Sequence, residues 1–206
     1  MQLQHKLQWI TVVHFMKHPL IKIISQSVSV LAAEEALILS YFKRKQYKRN
    51  EILLHEGDVA QHVFFVEKGG LHLFYADEAG NDRSCNFVFE NEFITDLESF
   101  SKQTPATCFI KSLMPSICYA VKNSALIELM ELSPATKEFF RVVVENVANG
   151  NFRRTRSLQS ATPEKRFLEL MEQRPDIFQR VPQRFIAQYV GIAPESLSRI
   201  KKRLLT

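Results

Sequence analysis

The chain has 206 residues, of which 46% are hydrophobic and 24% are charged, and its formal net charge is +5. This length and composition can form one large or two smaller folded units with buried cores, which argues against a wholly disordered chain. The charge is unevenly distributed, because residues 153–206 contain twelve basic and five acidic residues and the first 152 contain fifteen and seventeen. The basic C-terminal part indicates a polyanionic partner, although a solvated basic surface would have the same composition.

The cysteines and the N-terminal residues indicate the cellular compartment of the protein. Cys85, Cys108 and Cys118 are odd in number and lack Cys-x-x-Cys spacing, which argues against a disulfide framework or a zinc site and favours a reduced cytoplasm. The apolar stretch 7–16 is much shorter than the ~20 residues of a membrane span, so we predict no membrane association. Residues 16–19 resemble a second translation start, so residues 1–18 are predicted to be an N-terminal extension, with 1–15 upstream of the native protein.

Residues 19–133 change along the chain from a helical sequence pattern to a strand-forming one. Residues 19–42 have helical apolar spacing. Short β-branched and aromatic runs separated by glycine-containing turns then predict a β sandwich or barrel. The predicted strands are 52–54, 63–66, 71–75, 84–89, 107–113 and 117–121.

A long helix is predicted at 134–160, because Pro134 is followed by no further proline until Pro163. Phe140, Val143 and Val147 form an apolar stripe on it. Such a helix is too long to be buried on one small sandwich, so the stripe predicts a homodimer interface. The alternative is that the three side chains pack on their own β domain.

A second domain is predicted at 161–206. Thr162 and Pro163 give the cap and the first position of a new helix. Within 183–200, Ala187 is small where two helices would cross, Gly191 permits a left-handed turn, and Pro194 suits the start of the next helix. The pattern predicts a helix-turn-helix that binds double-stranded DNA, with an ordinary helical hairpin as the alternative.

The helix 194–204 would present a polar face to the major groove if Leu197, Ile200 and Leu204 face inward. Arg199 is suited to guanine and Glu195 to cytosine, although the two could merely pair with each other at i and i+4. Ser196, Lys202 and Arg184 are better suited to contacts with phosphate or to mixed contacts. The full predicted DNA-binding set is Arg184, Glu195, Ser196, Arg199, Lys202 and Arg203.

From about His18 the chain resembles the Crp/Fnr family of bacterial transcription regulators, on the segments 51–58, 63–69, 89–94 and 186–200. The resemblance implies an α+β fold with an N-terminal jelly-roll sensor domain of the cyclic-nucleotide-binding type, a long dimerisation helix and a C-terminal winged helix-turn-helix. Since the sequence stops at Thr206, any wing strands are expected before the motif and to be short.

The predicted ligand pocket departs from the cyclic-nucleotide-binding members of that family. Aligned with their Gly-Glu-Leu segment stand Asn91, Glu92 and Phe93, and Pro105 and Ala106 stand where an arginine and its hydroxyl partner would hold the phosphate. Without that cation cyclic AMP loses a charge-assisted contact, so it is not expected to be the effector.

No cofactor or metal is predicted either. No cysteine precedes Cys85, which argues against an N-terminal iron-sulfur cluster. His55, His62 and His72 lack metal-binding spacing and are interpreted as surface or turn residues.

The sequence therefore predicts a cytoplasmic, dimeric, DNA-binding transcription regulator that recognises a palindromic site and is not an enzyme. RNA polymerase is a further candidate partner. The alternative is a ligand-binding jelly-roll module with a degenerate helix-turn-helix, acting through protein partners. Selection on random DNA separates the two.

Overall fold

The computed structural model describes residues 17–205. The interpretation of residues 1–15 as an upstream extension falls outside this range. None of the described helices is both long and apolar enough to cross a membrane.

Two short helices precede the sheets, α1 at Pro19–Ser27 and α2 at Ala32–Tyr41. The single helical region predicted at 19–42 is thus interrupted, because Val28 and Leu31 have extended backbones. In α1, Pro19 occupies the first turn and His18 caps it by accepting a hydrogen bond from the amide of Leu20. The helix buries Leu20, Ile21 and Ile24 against the core of the β sandwich.

Residues 43–122 form two four-stranded antiparallel sheets, as the sandwich prediction required. The first sheet has the order β1-β8-β3-β6 and the second β2-β7-β4-β5. Hydrophobic side chains between the sheets join those of α1, α2 and the helices after β8 in one core. The strands are β1 Lys43–Tyr47, β2 Ile52–Leu54, β3 His62–Lys68, β4 Leu71–Ala76, β5 Asp82–Val88, β6 Phe93–Ile94, β7 Phe109–Ser112 and β8 Ser116–Lys122.

Two further helices flank the second half of the sandwich, α3 at Leu97–Lys102 between β6 and β7 and α4 at Asn123–Leu132 after β8. The carboxylate of Asp96 caps α3 by accepting from the amide of Ser99. It also accepts from the amide of Thr107 and the thiol of Cys108. Asp96 therefore ties the start of α3 to the chain entering β7.

The predicted long helix is confirmed as α5 at Pro134–Ser160, with Ser133 as its cap. Its N-terminal part is anchored by Phe139 and Phe140, which pack on each other and on Phe93 of β6. The rest of α5 extends beyond this core, and Phe152 is 69% exposed.

The C-terminal unit begins after only two non-helical residues, Ala161 and Thr162. Arg166 braces this junction, because its guanidinium donates to the carbonyls of Ala161 at 2.7 Å and Val190 at 2.8 Å. The unit has four helices, α6 at Pro163–Gln173, α7 at Ile177–Arg180, α8 at Gln183–Val190 and α9 at Pro194–Leu205. The expected short wing strands before the motif are absent from this part of the described chain, because Ile177–Arg180 is helical.

The C-terminal unit packs directly on the second sheet. Its core, built from side chains such as Phe167, Ile186 and Leu197, is continuous with Phe87 and Phe89 at the end of β5. Aromatic rings at this junction also surround His72 of β4, which lies at 4.7–5.0 Å from the rings of Phe74, Phe87 and Phe185. His72 is fully buried, so its interpretation as a surface or turn residue is wrong. Its ring completes an aromatic cluster that only the fold assembles.

Candidate nucleic-acid interface and interdomain cavity

The turn between α8 and α9 has the geometry that the sequence predicts. Gly191 has φ 76°, and its amide donates to the carbonyls of Ala187 and Gln188. Ala187 is fully buried where the helices cross. A Cβ on Gly191 would lie 3.2 Å from Cδ2 of Leu158 at the end of α5. The turn is therefore tight on both sides, towards α8 and towards α5.

The inward face of the motif holds the two helices together. Ile186, Val190, Leu197 and Ile200 are buried in the C-terminal core. Leu204 was expected on this face but is 38% exposed, because the last turn of α9 extends beyond the core. The position of α9 is fixed by its first two turns.

The outward face of α9 carries exposed charged side chains. Glu195, Arg199 and Lys202 are exposed, whereas Ser196 is half-buried. Arg199 donates to the hydroxyl of Ser196 at 3.2 Å, so this contact, and not a pair with Glu195, orients the guanidinium. The predicted base-reading residues thus share one solvent-facing surface, which we call the α9 face: Glu195, Ser196, Arg199 and Lys202.

The other two predicted DNA-binding residues flank this surface. Arg203 is exposed and pairs with Glu164 at the start of α6. Arg184, exposed on α8, has its guanidinium 4.7 Å from the ring centre of Phe185. Arg203 is thus tied to α6, whereas Arg184 belongs to α8.

Two arginines fasten the C-terminal unit to the turn after β5. Arg180 of α7 makes a bidentate pair with Glu90 at 2.6 and 2.9 Å and donates to the carbonyl of Gly69. Although burial raises the pKa of Glu90, hydrogen bonds from Arg180 and from the amide of Gly69 lower it to about 2. Arg174, directly after α6, donates to Glu92 at 3.0 Å. These ion pairs and hydrogen bonds hold the C-terminal unit against the turn after β5.

A polar chain crosses the same interface at its centre. The hydroxyl of Ser84 on β5 donates to Oε1 of Gln188 on α8 at 2.9 Å and therefore accepts from Nε2 of His72, also at 2.9 Å. The buried Nδ1 of His72 has no hydrogen-bond partner. Burial, assisted by the positive charge of Lys111, lowers the pKa of His72 to about 3. His72 is therefore neutral while the two units are docked.

A cavity of about 1380 Å³ lies between the sandwich, α5 and α8. Its wall includes Phe93, Asp96 and Thr107 from the sensor, Arg154 from α5 and Tyr189 from α8. It is larger than the roughly 300–1,000 Å³ of a typical small-molecule site. The β sandwich, the long helix α5 and the C-terminal unit thus all contribute to the wall of this cavity.

One of the five predicted ligand-pocket residues lines this cavity. Phe93 lines the cavity, but Asn91, Glu92, Pro105 and Ala106 do not. Asn91 has φ 70° in a turn, after which Glu92 faces Arg174 and accepts from the amide of Phe89. Pro105 pairs with Val59, and Ala106 is buried in the sensor core.

The predicted dimer stripe also shifts. Phe140 is 8% exposed and belongs to the core of its own domain, so its assignment to a dimer interface is wrong. Val143 packs against that core, whereas Val147 is 41% exposed and lines the cavity, so its place in a dimer interface stays a prediction. Val144, Ala148 and Phe152 are exposed on α5 and follow one another at intervals of four residues, and Val144 also lines the cavity. These three residues, here called the α5 stripe, lie one helix position around from the predicted set.

Comparison with known proteins agrees with this architecture. Residues 44–133 match the family model described as the cyclic nucleotide-binding domain. The cAMP-activated global transcriptional regulator CRP of Salmonella typhimurium is 25% identical over 181 residues, covering 81% of this chain and 84% of the relative. The chain is therefore similar to a CRP-type transcription regulator along most of its length.

Several solved structures share the fold of this protein. CLP of Xanthomonas campestris, described as a c-di-GMP responsive global regulator, has a TM-score of 0.67 at 17% identity, covering 85% of this chain and 92% of its own. FixK2 of Bradyrhizobium japonicum has a TM-score of 0.66 at 14% identity, covering 80% and 84%. The catabolite activator protein of Thermus thermophilus has 0.58 at 16%, covering 91% and 87%.

The similarity to a cyclic nucleotide-binding domain allows a second alignment of the predicted pocket. Thr95-Asp96-Leu97 fits the Gly-Glu-Leu pattern of cyclic-nucleotide-binding members as well as Asn91-Glu92-Phe93 does. These later residues, at the start of α3, line the cavity. The sequence signal that would have found them is an acidic helix cap, Asp96, directly after a short apolar strand.

Proposed function

We propose that this protein is a transcription regulator that binds double-stranded DNA as a homodimer, with α9 in the major groove. The observation that carries the proposal is the α9 face, which presents charged side chains to solvent from a helix fixed by buried neighbours. Arg199 is suited to a bidentate contact with guanine and Glu195 to a cytosine amino group. The resemblance to transcription regulators along most of the chain also favours this role over catalysis.

The α5 stripe supplies the proposed dimer contact. Val144, Ala148 and Phe152 would meet the same residues of a second copy in a short coiled-coil seam. A twofold dimer would place two recognition helices on one side of the duplex, so the expected site is a palindrome with half-sites about 34 Å apart. Val147, which is 41% exposed, lies beside this seam, and both Val144 and Val147 line the cavity.

We also propose that cyclic AMP is not the effector. Ala106 and Thr107 occupy the chain entering β7, and neither supplies a cation for a cyclic phosphate. Calorimetry should therefore detect no binding of cyclic AMP to the full chain. Saturable, micromolar binding that depends on the phosphate would overturn this part of the proposal.

Selection from random duplexes at low salt tests DNA binding. One palindromic sequence should be enriched, and its affinity should fall steeply as salt increases. Arg199→Ala should cost about 1–3 kcal/mol at the selected site and relax base preference at one position. Lys202→Ala should weaken binding to all sequences similarly.

Arg49→Ala is the matched control, since Arg49 is an exposed cation on the sensor domain. It should leave both affinity and preference unchanged. Failure to enrich any palindrome would refute the proposal and favour a module that acts through protein partners. Equal behaviour of the Arg199 and Lys202 variants would refute the assignment of the α9 face.

A further inference from the structure

The environment of Arg154 on α5 is unusual for a half-buried cation. Its guanidinium donates to the carbonyls of Ser84, Cys85 and Tyr189, and it lies 3.9 Å above the centre of the Tyr189 ring. Among the residues that the structure describes, no carboxylate lies within ion-pair distance of it. Carbonyl oxygens and an aromatic face stabilise the cation but leave its positive charge uncompensated.

The charges around the cavity have the same sign as Arg154. Four cations line it, namely Arg83, Lys137, Arg141 and Arg154. Arg83 is paired with Asp77 and Arg141 with Glu138 and Glu145, so Lys137 and Arg154 are the lining cations that have no ion pair within the described chain. The acidic lining residue in the described chain is Asp96, which is buried and already accepts three hydrogen bonds. The cavity therefore favours an anionic occupant over a cationic one.

Most of the remaining cavity wall is apolar, and the cavity is elongated along α5. It is lined by side chains such as Leu73, Phe100, Leu126 and Met130. The α5 residues that line it run from Lys137 to Leu158, which corresponds to about 30 Å of helix. Such a wall fits a long hydrocarbon better than a compact polar nucleotide.

We propose that this cavity binds a long-chain aliphatic carboxylate, with its chain along α5 and its carboxylate on Arg154. Part of the Arg154 donor capacity is already used on three carbonyls, so the ligand takes the remaining N–H groups or displaces a carbonyl. One of those carbonyls belongs to Tyr189 on α8. Carboxylate binding thus acts on a contact that joins the sensor to the helix-turn-helix.

Titration of the full chain with sodium dodecanoate below its micelle concentration tests the proposal by calorimetry. We expect saturable binding with one site per chain, at least tenfold weaker for 1-dodecanol, which has the same chain without the charge. Arg154→Gln, which removes the charge but keeps hydrogen-bonding groups, should weaken dodecanoate binding at least tenfold. Arg153→Gln is the matched control, because Arg153 is the exposed neighbour on the same helix and should change nothing.

A second variant separates loss of the site from loss of the fold. Val147→Trp would fill the apolar wall and leave Arg154 in place, so it should block dodecanoate while circular dichroism remains unchanged. Absence of saturable binding to the wild type, or equal affinity of the Arg154→Gln variant, would overturn the proposal. These measurements contain no DNA, so their failure is distinguishable from failure of the proposed function.

Discussion

Acidification should destabilise the docked structure through His72. The ring is fully buried among Phe74, Phe87 and Phe185, and its pKa is lowered from 6.5 to about 3. An unfolded chain takes up a proton on this histidine below pH 6.5, whereas the folded chain does not. Stability is therefore fully present above pH 6.5 and is lost progressively as the pH falls towards 3.

The magnitude of the destabilisation follows from the difference between the pH and the pKa of His72 in the unfolded chain. At pH 5, about 1.5 units below the unfolded pKa, the loss should be roughly 2 kcal/mol, at about 1.4 kcal/mol per unit. Urea denaturation followed by circular dichroism between pH 4 and 8 measures it. His72→Phe is the comparison, because it keeps an aromatic ring in the cluster and removes the titrating group.

The difference between wild type and variant isolates His72 from other titrating groups. The free energy of unfolding of the wild type should fall faster than that of His72→Phe below pH 6.5. Parallel pH profiles for the two proteins would refute the reasoning, since they would mean that His72 titrates alike in the folded and unfolded chains.

Three further outcomes are expected. Gly191→Ala should cost about 1–2 kcal/mol in urea denaturation, because φ is positive there and Leu158 is close, and an unchanged midpoint would contradict the turn geometry. Phe167→Ala should cost about 3–5 kcal/mol in the same assay, because the ring is fully buried, and a loss below 1 kcal/mol would contradict its place in the core. Phe152→Asp should shift the chain to monomer in sedimentation without loss of monomer stability, and an unchanged dimer would refute the α5 stripe.

The end of a helix was predictable to the residue where the sequence contains a capping residue, a proline or a glycine. Ser133 and Pro134 start α5, Thr162 and Pro163 start α6, and Gly191 forms the turn of the motif. Each signal resides in a few consecutive residues, and its physics is local: a cap, a fixed φ or a missing Cβ. The buried runs that became β2, β3, β4, β5, β7 and β8 were also evident from residue type.

Features that depend on distant partners were not predictable. Strand β1 is mostly exposed and charged, and it forms because β8 supplies hydrogen bonds across the chain. His72 is buried by Phe185, more than a hundred residues later. Arg154 belonged to a basic cluster in the sequence, but the fold turns it to the interdomain contact. The position of the α5 stripe likewise depended on which face the sandwich covers.

The junction at Ala161 and Thr162 limits how the helix-turn-helix can be presented. Two residues give the chain little slack, and Arg166 fastens one of them to the carbonyl end of α8. The Arg180–Glu90 pair also holds the C-terminal unit to the turn after β5, so the position of the unit relative to α5 is fixed at two places. If two copies join along α5, the distance between their recognition helices has few permitted values. An operator with one base pair inserted at its centre should consequently be bound poorly.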